Sequence, residues 1–131
     1  MSTLRDNEHC YVCGKKNLAG LGIEFEIDET AKMIHATFIP TSMHQGFEGI
    51  IHGGILSSLL DEAMAKLAFT VGLPAVTAEI TIKFKASAAP GQLLLITGSL
   101  KHESRRLILA ESKITRGLVV IAEASGKLLR M

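Results

Sequence analysis

Tryptophan is absent from the 131 residues, tyrosine occurs once, and aromatic residues make up only 5% of the chain. Proteins that bind single-stranded nucleic acid stack bases on aromatic side chains, so that class is disfavoured. Charge of one sign is also missing. The formal net charge is +1, and the basic residues are scattered rather than gathered into the stripe that marks a nucleic-acid surface. Cysteine occurs twice, too few for a disulfide framework. No uninterrupted apolar run reaches the ~18 residues that a bilayer span needs. The opening MSTLRDNEHC is polar and lacks the apolar centre of a secretory signal. These absences leave a cytoplasmic protein with neither nucleic acid nor membrane as partner.

What is present suits a globular core. Apolar residues form 47% of the chain, and the length fits one domain spanning residues 1–131. The first twenty residues read as an irregular leader. GIEFEID then sets Ile23, Phe25 and Ile27 against Glu24, Glu26 and Asp28, the two-residue alternation of a half-buried strand. MIHATFI follows a polar turn as its hairpin partner and stops at Pro40. Four glycines (46, 49, 53 and 54) punctuate residues 41–54. Residues 55–71 are rich in Leu, Ala and Met and predict a helix about 25 Å long, ended by Gly72 and Pro74. VTAEITIKFKA alternates again, with Ala78, Ile80, Ile82 and Phe84 expected on one face and Thr77, Glu79, Thr81, Lys83 and Lys85 on the other. Three more strand patterns follow, with turns at Pro90-Gly91 and Arg116-Gly117. One greasy helix among six antiparallel strands predicts an α+β protein in which a curved sheet wraps around the helix, the hotdog arrangement.

The chemistry gathers in HGGILSSLLDE, residues 52–62. Gly53 and Gly54 stand where a loop becomes the first turn of a helix, whose N–H groups lack internal partners and carry the positive end of its dipole. Such a terminus can hold a developing oxyanion, although glycines there also simply make a turn. Asp61 tilts the reading toward chemistry, because an unpaired carboxylate in an apolar helix is costly to bury. Ser57 and Ala65, one turn to either side, are small and leave room for substrate or water. Gly53 and Asp61 are eight residues apart, about 12 Å along a helix. They can meet at one carbonyl only if two helices run antiparallel across a dimer interface.

Four segments also resemble the PaaI-like thioesterases of the hotdog superfamily, within the subgroup that opens on Cys-x-x-Cys-Gly. They are CYVCGKKNLAGLG (10–22), HQGFEGIIHGG (44–54), LLDEAM (59–64) and TAEITIKF (77–84). The resemblance implies hydrolysis of a small aryl- or medium-chain acyl-CoA, in a homodimer or homotetramer whose active site lies at the dimer interface. Asp61 falls where that family keeps its catalytic acid. Gly53 would supply the oxyanion N–H, Gly54 would complete the turn, and His52 would hold the loop or orient the carbonyl. Thr77 would position the water or the carboxylate. One position departs: Gly46 stands where many relatives place asparagine, with Gln45 beside it as a substitute. Asp61 would act as general base or as nucleophile, and no Gly-x-Ser-x-Gly elbow offers a serine instead. Coenzyme A belongs to the substrate, and neither a cofactor nor a metal is required.

Other candidates weigh less. His44 and Gln45, in the loop before the helix, are expected to line the substrate site with Ser57. Lys83 and Lys85, with Arg105 and Arg106, could meet coenzyme A phosphates or simply be solvated. Cys10 and Cys13 are expected to pack the leader, because a structural zinc needs four ligands and one chain offers one obvious pair, the alternative being a four-cysteine site across a dimer. Two other functions compete. DEAMA loosely resembles the helix of hotdog hydratases, but their His-Phe-Pro loop is missing. A non-catalytic acyl-CoA-binding module would have little need of Asp61.

Overall fold

Antiparallel pairing orders the whole chain. In the computed structural model, which describes residues 4–131, the elements run β1 (Glu26–Asp28), β2 (Met33–Phe38), a short 3-10 turn (Ser42–His44), α1 (Gly53–Thr70), β3 (Ala75–Phe84), β4 (Leu94–Glu103), β5 (Leu107–Arg116) and β6 (Val119–Arg130). One six-stranded sheet has the order β1-β2-β4-β5-β6-β3. The chain thus enters at one edge, crosses over through α1 to place β3 at the opposite edge, and fills the middle with a meander. The helix lies against one face of this sheet, the hotdog arrangement that the sequence predicts. Among the described residues no helix is long and apolar enough to cross a membrane.

The helix forms where Leu, Ala and Met dominate, but it begins two residues earlier than predicted, so that Gly53 and Gly54 are its first residues. Leu56, Leu59, Leu60, Ala63, Met64, Leu67 and Ala68 are buried, a stripe at helical spacing facing the sheet. Each large side chain among them stabilises the fold by roughly 1.5–3 kcal/mol. The opposite flank, with Ser57, Ser58, Asp61, Glu62, Ala65 and Lys66, is only half-buried. The helix stops in a Schellman motif: Gly72 has φ +85°, its N–H reaches Phe69 O, and the Leu73 N–H reaches Ala68 O at 2.8 Å.

Under the middle of the helix the sheet is built from small residues. Gly98, Ser112 and Ala124 are aligned across β4, β5 and β6. Ser112 donates its hydroxyl hydrogen to Leu60 O at 2.9 Å. A Cβ on Gly98 would lie 2.9 Å from Ile34 Cγ2, and one on Gly126 would lie 2.9 Å from the end of Met64. Larger residues there would press the helix away from the sheet.

Two expectations need correction. The first strand is shorter than its alternation suggests, because residues 21–23 bond to the leader instead: Leu21 N–H to Tyr11 O and Ile23 N–H to Val12 O, both at 2.8 Å. In β3 the ladder to β6 slips between Thr77 and Glu79, leaving Ala78 as the extra residue of a bulge. The bulge inverts the alternation ahead of it. Thr77 therefore faces the helix along with Ile80, Ile82 and Phe84, while Ala78 is exposed. The predicted leader takes the turns of an irregular segment over its described part, and its first three residues lie outside the described residues.

Candidate active site

The start of α1 is tied down by the residue before it. His52 is the N-cap: its Nδ1 accepts the Gly54 N–H at 2.8 Å, and its carbonyl oxygen accepts from Ile55 and Leu56. The His52 N–H in turn reaches His44 O at 2.9 Å. Of the first-turn donors, Gly53 N–H alone has no acceptor among the described residues. It sits at the positive end of the helix dipole, with no Cβ in front of it. A Cβ at that position would lie 3.6 Å from the Phe84 ring.

Asp61 lies two turns along, half-buried. Thr77 donates its hydroxyl hydrogen to Asp61 Oδ1 at 2.5 Å. The second oxygen, Oδ2, has no protein partner among the described residues. A carboxylate anchored by one oxygen and open at the other is equipped to take a proton or to attack an electrophile. Ser57, one turn before Asp61, donates to Gly53 O at 2.7 Å, which fixes its hydroxyl on the helix backbone.

The loop residues hold their own turn. His44 Nδ1 accepts the Thr41 N–H at 2.9 Å, and its ring meets Phe38 edge-on at 5.1 Å. Gln45 Oε1 accepts the Gly49 N–H at 3.0 Å and closes the loop. The Gln45 amide nitrogen and His44 Nε2 take no part in these contacts. Gly46 also has a steric reason: a Cβ there would come within 3.2 Å of His52 Cδ2 and crowd the cap.

Lys83 and Lys85 stand apart from this cluster. The alternation beyond the bulge turns them to the outer face of the sheet, away from the helix. Lys83 lines an open groove of about 440 Å³ there, together with Lys101, Lys113 and Glu123. Lys85 pairs with Glu123 at 2.9 Å, and that contact holds the Glu123 carboxyl below its ordinary range. Within one chain, then, the structure joins His52, Gly53, Gly54, Ser57, Asp61 and Thr77 along α1. The two lysines belong elsewhere.

Glu62, next to Asp61, was missed as a site residue. Cys10 of the leader donates its thiol hydrogen to Glu62 Oε2 at 2.5 Å, and Lys66 Nζ lies 3.4 Å from Cys13 Sγ. Burial, and then the neighbouring Glu62 charge, push the Cys13 thiol from its ordinary 9.0 up to about 12, against the opposing pull of Lys66. The only hint in the sequence was a second acid in a greasy helix.

Comparison with known proteins bears on the family and the fold. The chain is 31% identical over 116 residues to the human protein named acyl-coenzyme A thioesterase THEM5, covering 86% of this chain and 47% of that protein. It thus spans about half the length of this curated relative. Among solved structures, the PaaI protein from the phenylacetic acid degradation operon of E. coli superposes with a TM-score of 0.78 at 27% identity, over 85% of this chain and 80% of that one. A protein from Streptococcus mutans, solved with acetyl CoA bound, superposes with a TM-score of 0.77 at 22% identity, over 83% of this chain and 88% of that one. Residues 48–119, which include the cap, both glycines, Asp61 and Thr77, match the profile of the Thioesterase superfamily. The chain belongs to that superfamily.

Proposed function

We propose that this chain hydrolyses the thioester of a small aryl- or medium-chain acyl-CoA, as a homodimer or a pair of such dimers with each active site shared between two chains. The observation that carries this reading is the unpartnered Gly53 N–H on the same helix as a half-buried Asp61 whose Oδ1 is held by Thr77. The human relative's name supports acyl-CoA as substrate, and the operon of the E. coli protein supports an aryl-acyl group. The reading places the protein in the cytoplasm, unattached to membrane or nucleic acid. It needs neither metal nor organic cofactor for the reaction, since coenzyme A arrives with the substrate.

In this mechanism Gly53 N–H donates to the thioester carbonyl oxygen and stabilises the negative charge that develops on it. Asp61 Oδ2 takes the proton of an attacking water, or attacks the carbonyl carbon itself to form an anhydride that water then opens. The carbon–sulfur bond breaks, and coenzyme A leaves as a thiolate that takes up a proton. Thr77 keeps Oδ1 occupied, so Oδ2 is the oxygen that reacts. About 12 Å separates Gly53 from Asp61 along one helix, so the two act on one carbonyl only when they come from different chains. The β3 edge and the loop before the helix leave Val76, Phe84, Met43 and Phe47 exposed. A second chain added there would cover apolar surface and satisfy the open strand edge.

The test is free-thiol release from a panel of acyl-CoA substrates by the wild type and by Asp61→Ala, with the variant's fold checked by circular dichroism. Cleavage by the wild type and loss of most of it in the variant is the expected result. Binding of acyl-CoA without thiol release from any substrate would overturn the reading.

A further inference from the structure

The leader and the helix meet at a cluster that the reaction does not use. Cys10 Sγ, Cys13 Sγ and a Glu62 carboxylate oxygen all lie within 4.8 Å of one another, each residue half-buried. The two cysteines share one tight turn, closed by the Gly14 N–H to Cys10 O at 2.9 Å. That turn tolerates only glycine at position 14, because a Cβ would lie 2.4 Å from Cys10 N and 2.5 Å from Cys10 O. The carboxylate comes from 52 residues away in sequence. A cleft of about 210 Å³ opens beside the three, its walls including Asp6, Lys66 and Phe69.

We infer that Cys10, Cys13 and Glu62 form a binding site for a divalent, thiophilic metal ion such as Zn²⁺, fastening the leader to helix α1 one residue past Asp61. Two sulfurs and one carboxylate oxygen are a zinc-type donor set, with metal–sulfur bonds of about 2.3 Å and metal–oxygen bonds of about 2.0–2.2 Å. Tetrahedral bonds of those lengths set sulfur–sulfur and sulfur–oxygen separations near 3.5–3.8 Å. The present atoms lie within 4.8 Å of one another, at most about 1 Å beyond that spacing, so binding would draw the three side chains together. With three protein ligands in the cluster, a fourth position would be left for water from the cleft beside it.

Charge and protons both balance. On binding, each thiol gives up its proton to solvent, so one M²⁺ displaces two H⁺. The Cys10 thiol proton, now hydrogen-bonded to Glu62 Oε2, is one of these, and the oxygen it leaves becomes a ligand. Two thiolates and one carboxylate carry −3, the ion carries +2, and the Lys66 ammonium beside Cys13 Sγ supplies the remaining +1. The packing role expected for the cysteines is therefore the metal-free side of a metal-linked clasp.

Cobalt(II) is the probe, added to the reduced full-length protein. The expected result is thiolate-to-cobalt charge-transfer absorption that saturates at one ion per chain, releases two protons in weak buffer and is reversed by Zn²⁺. Cys10→Ser and Cys13→Ser should each abolish most of the charge-transfer band. Glu62→Gln, which preserves the side-chain shape, should keep the fold by circular dichroism and weaken cobalt binding by roughly tenfold or more, since even outer-shell losses cost about 10–100-fold. An absence of charge-transfer absorption in the wild type would overturn the assignment, as would unchanged affinity in Glu62→Gln. So would a chain that converts to a Cys10–Cys13 disulfide while Zn²⁺ is present in excess. None of these readouts depends on thioesterase activity.

Discussion

Thr77 reaches Asp61 only because β3 carries a bulge at Ala78. Without that slip in the ladder, the threonine would point with Glu79 to the outer face, and Asp61 Oδ1 would lose its 2.5 Å partner. The bulge thus converts an edge-strand threonine into the clamp of a carboxylate on the neighbouring helix. Replacing Thr77 with valine keeps the volume and removes the hydrogen bond. A hydrogen bond to a charged group contributes about 1.5–3 kcal/mol, so kcat for thioester cleavage should fall by roughly tenfold to a hundredfold. Asp61→Asn should cost more, on the order of 10²–10⁴-fold. Steady-state kinetics beside urea melts separate these losses from unfolding.

Gly53→Ala tests the oxyanion role without disturbing the fold. The added methyl meets the Phe84 ring at an ordinary 3.6 Å, and alanine suits a helix better than glycine by up to about 1 kcal/mol. Alanine keeps the backbone N–H and sets a methyl beside it, which keeps the thioester carbonyl away. Stability should hold or rise while kcat drops by up to roughly 10²–10³-fold, the worth of an oxyanion donor. A variant as active as wild type would show that the carbonyl needs no open approach at Gly53.

Mixing inactive chains tests whether the site is shared. In a dimer that pairs Gly53 of one chain with Asp61 of the other, a Gly53→Ala/Asp61→Asn heterodimer holds one intact site and one doubly damaged site. Random exchange makes half of the dimers heterodimers, so roughly a quarter of wild-type activity should return. If each chain used its own pair, no activity would return.

His52→Ala should destabilise the protein by about 1 kcal/mol, the usual cost of losing an N-cap acceptor. The Gly54 N–H would then be orphaned. Denaturant midpoints give the size of the effect. Gly54→Ala should resemble it, because its Cβ would sit 2.9 Å from His52 Nδ1.

In reduced, metal-free protein the Cys13 thiol imposes a pH dependence at the alkaline end. Its folded value is raised from 9.0 to about 12 by burial and by Glu62. The stability this contributes is fully present below pH 9 and drains away as pH climbs from there through about 12, because the unfolded chain then holds the thiolate more readily. Urea melts across that window should show a steeper loss for wild type than for Cys13→Ser, which has no proton to lose there.

The helix could be read from residues 55–71 because composition and a Gly-x-Pro ending are local signals. Asp61 stood out because a carboxylate in that company needs a reason. The placement of Thr77 could not be read in this way. Strict alternation assigns it to the wrong face, and a bulge is a property of two paired strands rather than of one. Its role came from the family resemblance, which carried the pattern that alternation missed. Cys10, Cys13 and Glu62 were each visible singly, but nothing local links residues 52 apart in the chain. The same alternation that hid Thr77 correctly turned Lys83 and Lys85 outward. Whether they meet coenzyme A phosphates there is a matter of what occupies that face, which no alternation in one strand encodes.

The row Gly98, Ser112 and Ala124 limits how this protein can diversify. A methyl added at Gly98 collides with Ile34 at 2.9 Å, so the sheet cannot trade bulk for depth beneath the helix. Added volume has room only on the half-buried flank of α1, where Ser57, Asp61 and Ala65 lie. The spacing of helix and sheet is thus set by the smallest residues of that row rather than by the largest of the core.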